Sequence, residues 1–189
     1  MNLLKQRIQE VGVVLSDQVL KVDAILNHQV DPALIMALGK EFASLYAECD
    51  VTKVLTVESS GIPLAMAAAY ELHVPFIFAR RKKTLTTDQD TYCERVPSFT
   101  KGIVTDIMVS KEFLQPQDRV LIIDDFIANG DAARGLIRIV EISGAELVGV
   151  GIAVEKSFQA GGRTIRERGI RVDSLVRISS LENGKITFE

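Results

Sequence analysis

The chain opens on an amphipathic stretch, Asn2 to Glu10, where Leu4, Ile8 and Val11 recur at helical spacing and Gly12 closes the run. Val13 to Ala24 is short and mixed, and ends near the polar trio Asn27, His28 and Gln29. Asp31-Pro32 predicts a helix start, because Asp caps free N–H groups and Pro is favoured at the first helical position. Leu34, Leu38, Phe42 and Leu45 carry its apolar face to about Glu48. From there the pattern alternates. The apolar runs Lys53–Val57, Pro75–Ala79, Arg119–Ile123, Leu147–Val154 and Val172–Ile178 predict buried strands. Between them Pro63–Leu72, Ala132–Ser143 and Arg163–Arg168 predict helices. The expected architecture is α/β: a parallel sheet of about five strands flanked by helices on both faces.

The stretch Arg80 to Lys101 breaks this rhythm, being rich in Thr, Asp and Lys and poor in apolar side chains. A structureless loop of that length inside a compact domain tends to be functional or mobile. The expectation is one domain over residues 1–189, with a flexible flap at about 84–101 and an N-terminal hood drawn largely from residues 1–30.

Composition narrows the function classes. The 189 residues are 47% hydrophobic and 25% charged, which excludes global disorder and suits a single core. A net charge of -3 argues against general nucleic-acid binding, whose affinity comes from phosphate neutralisation by a basic surface. No apolar run approaches the ~20 residues that span a bilayer. Met1 to Asp17 lacks the apolar core of a signal peptide, so a cytoplasmic protein is expected. Cys49 and Cys93 stand far apart without CxxC spacing or His partners, and His28 and His73 are isolated from carboxylates in sequence. None of these four is assigned a role.

The strongest chemical signal is Val120-Leu121-Ile122-Ile123-Asp124-Asp125-Phe126-Ile127-Ala128-Asn129-Gly130-Asp131-Ala132. A buried strand runs into two carboxylates, then a short Gly-containing turn, then a helix. Open α/β sheets bind ligands at the carboxyl ends of their strands, and a helix N-terminus presents N–H groups to an anion. Adjacent carboxylates suit sugar hydroxyls or a magnesium ion that keeps several waters. Together they predict a phosphorylated sugar as ligand.

This segment resembles the 5-phosphoribosyl-1-pyrophosphate (PRPP) motif of the type I phosphoribosyltransferase family. The resemblance runs over almost the whole chain, and Leu15 to Asp23, Asn27-His28-Gln29 and Ile152 to Phe158 resemble the family's bacterial xanthine-specific members. It implies that Ala128, Asn129, Gly130, Asp131 and Ala132 form the phosphate loop, and that Asp124 and Asp125 hydrogen-bond the ribose hydroxyls as catalytic groups. It implies transfer of the phosphoribosyl group from PRPP to xanthine in purine salvage, giving XMP and pyrophosphate. Magnesium is the implied cofactor, held mainly by substrate and water, and a homodimer the implied assembly. Adenine or guanine/hypoxanthine enzymes are same-class alternatives, the former favoured by Ala128 where some 6-oxopurine enzymes place a further Asp. A PRPP-sensing regulator is the alternative from another class, disfavoured by an acidic chain without a winged-helix pattern.

Other segments fit around this motif. Glu58-Ser59-Ser60-Gly61 follows a strand and precedes a helix, and matches the family's pyrophosphate loop through Ser59, Ser60 and Gly61. Locally, Ser-Ser-Gly is also an ordinary turn. Arg80, Arg81, Lys82 and Lys83 follow a strand directly; as four adjacent cations they repel one another and would neutralise a leaving pyrophosphate. The resemblance implies a pyrophosphate contact from this run to the neighbouring subunit. It also implies that Leu20, Asn27 and Lys156 contact the purine. A Lys ammonium donates to a carbonyl oxygen, an Asn amide both donates and accepts, and a Leu packs on the flat ring. Phe158, two residues beyond Lys156, either stacks on the base or belongs to the core.

Overall fold

The computed structural model describes residues 1–81, 90–98 and 103–189, excepting the side chains of Asn27, Ser98 and Ile103. Helix α1 (Asn2–Val11) buries Leu4 and Ile8. A hairpin follows, β1 (Val13–Ser16) and β2 (Val19–Lys21), then a single wide turn over Asp23–Asn27. Helix α2 (Pro32–Leu45) starts as its Asp-Pro pair predicts: Asp31 Oδ1 accepts the Leu34 N–H at 3.1 Å. It ends sooner than expected, leaving Leu45 exposed, while the next residue, Tyr46, is fully buried.

Strand β3 (Lys53–Val57), helix α3 (Ile62–Leu72) and strand β4 (Phe76–Ala79) form a βαβ unit. Next comes an antiparallel ribbon, β5 (Thr91–Ser98) with β6 (Ile103–Ser110). Then follow β7 (Arg119–Ile127), α4 (Asp131–Ser143), β8 (Glu146–Lys156), the short α5 (Gly161–Arg166), β9 (Val172–Ser180) and β10 (Thr187–Phe188).

The main sheet runs β10-β9-β8-β7-β3-β4. Five strands are parallel, and β10 adds an antiparallel edge that the apolar pattern did not show. One core layer joins the sheet to α1, α2, α3 and the N-terminal hairpin; the second joins it to α4 and the β5–β6 ribbon. Helices α2 and α3 pack closely because a Cβ on Gly39 would lie 2.6 Å from the Ala67 Cβ. No helix among the described residues is long and apolar enough to cross a membrane.

Two expectations need correction. The polar stretch Arg80–Lys101 is not without regular structure, since Thr91–Ser98 is a strand. Its few apolar residues suffice: Val96 is buried, and Gly135 on α4 leaves the notch that receives it, where a Cβ would overlap Val96 and stand 3.0 Å from Ile107. Strand β7 also does not stop at Ile123 but pairs with β8 through Ile127, so the two acids lie within the ladder.

Candidate active site

Strands β3, β7 and β8 end along one rim of the sheet, and the β1–β2 hairpin faces them across a cleft of about 490 Å³. That volume is in the range that holds a small organic ligand. Asp124 and Asp125 line the cleft although they are only 6% and 8% exposed. The Asp125 N–H donates to Asp124 Oδ1 at 3.0 Å. Burial pushes the Asp124 carboxyl well above the ordinary carboxylate range, and the neighbouring Asp125 carboxylate pushes it further. The Asp125 backbone bond and the Arg81 guanidinium pull it back only in part.

Ala128, Asn129, Gly130, Asp131 and Ala132 all line the cleft. Gly130 turns the chain at φ 81°, the left-handed region, and lets α4 begin at Asp131. The loop rests on the start of α5: Gly161 N–H donates to the Ala128 carbonyl at 3.0 Å, and a Cβ on Gly161 would stand 2.6 Å from Gly130 N. Asp131 puts a negative charge beside the N–H groups of the helix end. Arg134 neutralises it with a 2.7 Å bond from Nη2, and its Nη1 reaches Thr164 Oγ1 at 3.3 Å. Gly161 carried no sequence signal, because its contact joins segments remote along the chain; the Arg134–Asp131 pair, three residues apart on one helix, was open to a local reading and was missed.

In the loop after β3, Glu58 and Ser60 line the cleft, whereas Ser59 and Gly61 do not. The Glu58–Ser59 peptide is cis. Gly61 packs under the acid pair: a Cβ there would stand 2.6 Å from Asp124 Oδ1 and overlap Thr56 Oγ1. That Thr56 hydroxyl is buried without a hydrogen-bond partner among the described residues.

The basic run divides. Arg81 lines the cleft, its N–H on Glu58 Oε1 at 2.6 Å, its Nε on the Glu58 carbonyl at 3.2 Å and its Nη1 on Thr105 at 3.2 Å. Arg80 does not line it; its guanidinium lies 5.4 Å from the Phe78 ring centroid and its backbone pairs with Met108. Both arginines thus have partners within the subunit, which four bare cations in sequence did not suggest. Lys82 and Lys83 lie outside the described residues.

At the other end, Leu20 and Lys156 line the cleft. Lys156 Nζ donates to the Gln18 carbonyl at 2.7 Å and sits 5.9 Å from the Phe126 ring centroid. Burial holds its ammonium below the ordinary lysine range. Asn27 closes the wide turn Asp23–Asn27 in the same hood, and its side chain lies outside the described parts. Phe158 is not on the Lys156 strand face, since β8 ends at Lys156; it packs on the core. The aromatic in the cleft is Phe126, legible in sequence only as the residue after the acid pair.

Residues 22–176 match the model of the phosphoribosyl transferase domain. The chain belongs to the phosphoribosyltransferase family. It is 55% identical over 187 residues to the xanthine phosphoribosyltransferase of Moorella thermoacetica, covering 99% of this chain and 95% of that protein. With the xanthine phosphoribosyltransferase of Bacillus licheniformis it shares 53% over 188 residues, covering 100% and 97%. Among solved structures, APRTase from Giardia lamblia complexed with 9-deazaadenine superposes with a TM-score of 0.77 at 24% identity, covering 92% of this chain and 97% of that one. Adenine phosphoribosyltransferase from Rhodothermus marinus gives 0.74 at 25%, covering 94% and 100%. The fold is that of the type I phosphoribosyltransferases, with a mostly parallel sheet between helical layers.

Proposed function

We propose that this chain transfers the 5-phosphoribosyl group from PRPP to xanthine, giving XMP and pyrophosphate, as a single 1–189 domain acting in the cytoplasm. The observation that carries this reading is the meeting of three features in one cleft: a buried acid pair, a glycine-turned loop at a helix start, and a donor-only ammonium. The sequence relatives at 52–55% identity, named xanthine phosphoribosyltransferases, support the same substrate.

The loop Ala128–Ala132 holds the 5-phosphate through its N–H groups, and Arg134 keeps Asp131 from repelling it. Asp124 and Asp125 accept from the ribose hydroxyls. Ser59, Ser60, Gly61 and Arg81 hold the pyrophosphate. Lys156 donates to a purine oxygen, Asn27 reads the opposite edge, and Leu20 packs on the ring. Catalysis is mainly positioning and charge stabilisation as the C1–pyrophosphate bond loosens.

The adjacent carboxylates of Asp124 and Asp125, side by side at the cleft, offer the hard oxygen donors that suit magnesium. Among the described residues no three His, Cys, Asp or Glu side chains group to hold a metal, so PRPP and water would supply the rest of the shell. When bound, magnesium would neutralise charge gathering on the leaving pyrophosphate. The hood, residues 1–30, covers the base, and the flap, about 84–101, of which 84–89 and 99–101 lie outside the described residues, has the role of excluding water from PRPP. The assembly is a homodimer in which the basic run Arg80, Arg81, Lys82 and Lys83 reaches the neighbouring site.

A steady-state assay with PRPP, magnesium and a panel of purines tests the reading. Xanthine is expected to have the highest kcat/KM, guanine and hypoxanthine lower values, and adenine negligible turnover. A site that hydrogen-bonds a substrate oxygen rejects an analogue lacking it by orders of magnitude. Ala128 in the loop favours adenine instead, and adenine reacting best would replace the xanthine reading.

A further inference from the structure

We propose that the side-chain pair Gln18–Gln159 is a positioning device for Lys156, and through it sets how tightly the site holds a 6-oxopurine. The inference rests on Lys156 being the base-contacting donor.

A lysine ammonium is a compact charge on a flexible four-carbon stem, so something must decide where it sits. Lys156 is the last residue of β8, and Gln159 N–H closes a turn on its carbonyl at 2.9 Å. The two ends of this turn grip one residue of the facing hairpin. Lys156 Nζ takes the Gln18 carbonyl at 2.7 Å, and Gln159 Nε2 takes Gln18 Oε1 at 2.6 Å. Gln18 belongs to the turn between β1 and β2, where the register shifts between Val14 and Ser16. Within the hairpin the Gln18 N–H rests on Ser16 Oγ at 3.3 Å, and the amide bond from Gln159 ties the Gln18 side chain to the end of β8; all three residues line the cleft.

A contact kept for stability would look different. An exposed amide–amide bond contributes little net, because both groups exchange it for water. Gln159 Oε1 is moreover buried with no partner among the described residues, a penalty of similar size and opposite sign. What the pair does provide is a two-point clamp. With one donor on Gln18 and the charge beside the Phe126 ring, the ammonium keeps a donor for a base oxygen. Adenine offers an amino group at that place, which an ammonium cannot use. A swinging ammonium would return to water and lose this discrimination.

The experiment compares the full-length enzyme with Gln159→Leu, Lys156→Met and the double variant, varying xanthine and PRPP separately. Gln159→Leu is expected to raise the KM for xanthine about tenfold, the scale of a weakened charge-assisted hydrogen bond. The PRPP KM, kcat and melting temperature stay at wild-type values. Gln18→Leu, at an exposed position, should reproduce the effect even if Gln159→Leu folds poorly. In the Lys156→Met background, Gln159→Leu should add nothing, because what it positions is gone. A full additional effect there would mean that Gln159 touches the base itself, and the positioning role falls. A loss from Lys156→Met with none from either glutamine variant also overturns it, leaving the Lys156 reading intact. Unchanged xanthine use in Lys156→Met sinks that reading and this inference together.

Discussion

Thr56 sits fully buried on β3 with its hydroxyl unpartnered among the described residues, directly beneath Gly61 and near the acid pair. Buried polar groups are almost always hydrogen-bonded, so this one is an expense of the unliganded site. Thr56→Val keeps the shape and removes the desolvation penalty. It should stabilise the free protein by about 1 kcal/mol, a rise of roughly 2–4 °C in Tm for a chain of this size, measured by thermal unfolding. Destabilisation instead would mean that the hydroxyl is bonded in solution. In the sequence Thr56 was one more residue of an apolar strand. The acid pair at 124 and 125, by contrast, was plain, because carboxylates directly after four apolar residues have few structural uses.

Among elements, α5 is the least conspicuous in sequence and the most constrained in space. Gly161 lies against the Ala128–Gly130 loop, and a Cβ on Gly162 would overlap Glu155 Oε1 and stand 2.9 Å from Arg166 Nη1. Gly161→Ala must push the Ala128–Gly130 backbone outward. PRPP affinity, read by calorimetry, should fall at least about tenfold, the scale set when charged hydrogen bonds lose their geometry. Xanthine binding measured apart from PRPP should change little.

Behind Gly162, Glu155 is 2% exposed and receives Arg166 at 2.7 and 2.6 Å and Ser174 at 2.5 Å. Burial pushes the Glu155 carboxyl up, but the bonds from Arg166 and Ser174 and the charges of Arg166 and Arg177 outweigh it, leaving it below the ordinary range. A carboxyl lower in the folded than in the unfolded chain stabilises above the unfolded value, and that contribution is lost as pH falls through the folded one. Glu155→Gln should therefore cost about 3–5 kcal/mol at neutral pH, since it leaves Arg166 poorly paired. The gap to wild type, followed by denaturant unfolding, should narrow as the solution is acidified below the carboxylate range.

For the whole molecule, the proposed homodimer makes a prediction that no single site can. One inactive variant has Arg80, Arg81, Lys82 and Lys83 neutralised; another has Asp124 and Asp125 replaced. Arg81 lines the cleft of its own subunit, whereas Arg80 does not line it. If the remaining cations act across a twofold interface, mixing the two variants assembles hybrids whose recovery depends on which lesion acts in trans. A variant neutralised only at Lys82 and Lys83, mixed with the acid-pair variant, should regain part of the activity. A variant changed only at Arg81 should regain none, because its lesion falls in the same cleft that needs the intact acids. Sedimentation of a fully active monomer would remove the trans contact.

The sequence by itself determined the parallel sheet, since buried strands are near-continuous apolar runs and β3, β4 and β7–β9 were all legible. It also determined the acid pair and the glycine loop, whose chemistry is carried by adjacent residues. The hairpins β1–β2 and β5–β6 and the edge strand β10 escaped it, because two-stranded pieces draw stability from what they pack on and need no strong pattern of their own. Only the tertiary structure decided that Arg81 and not Arg80 faces the cleft, that Phe126 and not Phe158 lines it, that Gly161 packs on the Ala128–Gly130 loop and that Gln159 joins the lining. Each of those turns on where a strand stops or on a contact between distant segments, and neither has a local residue code.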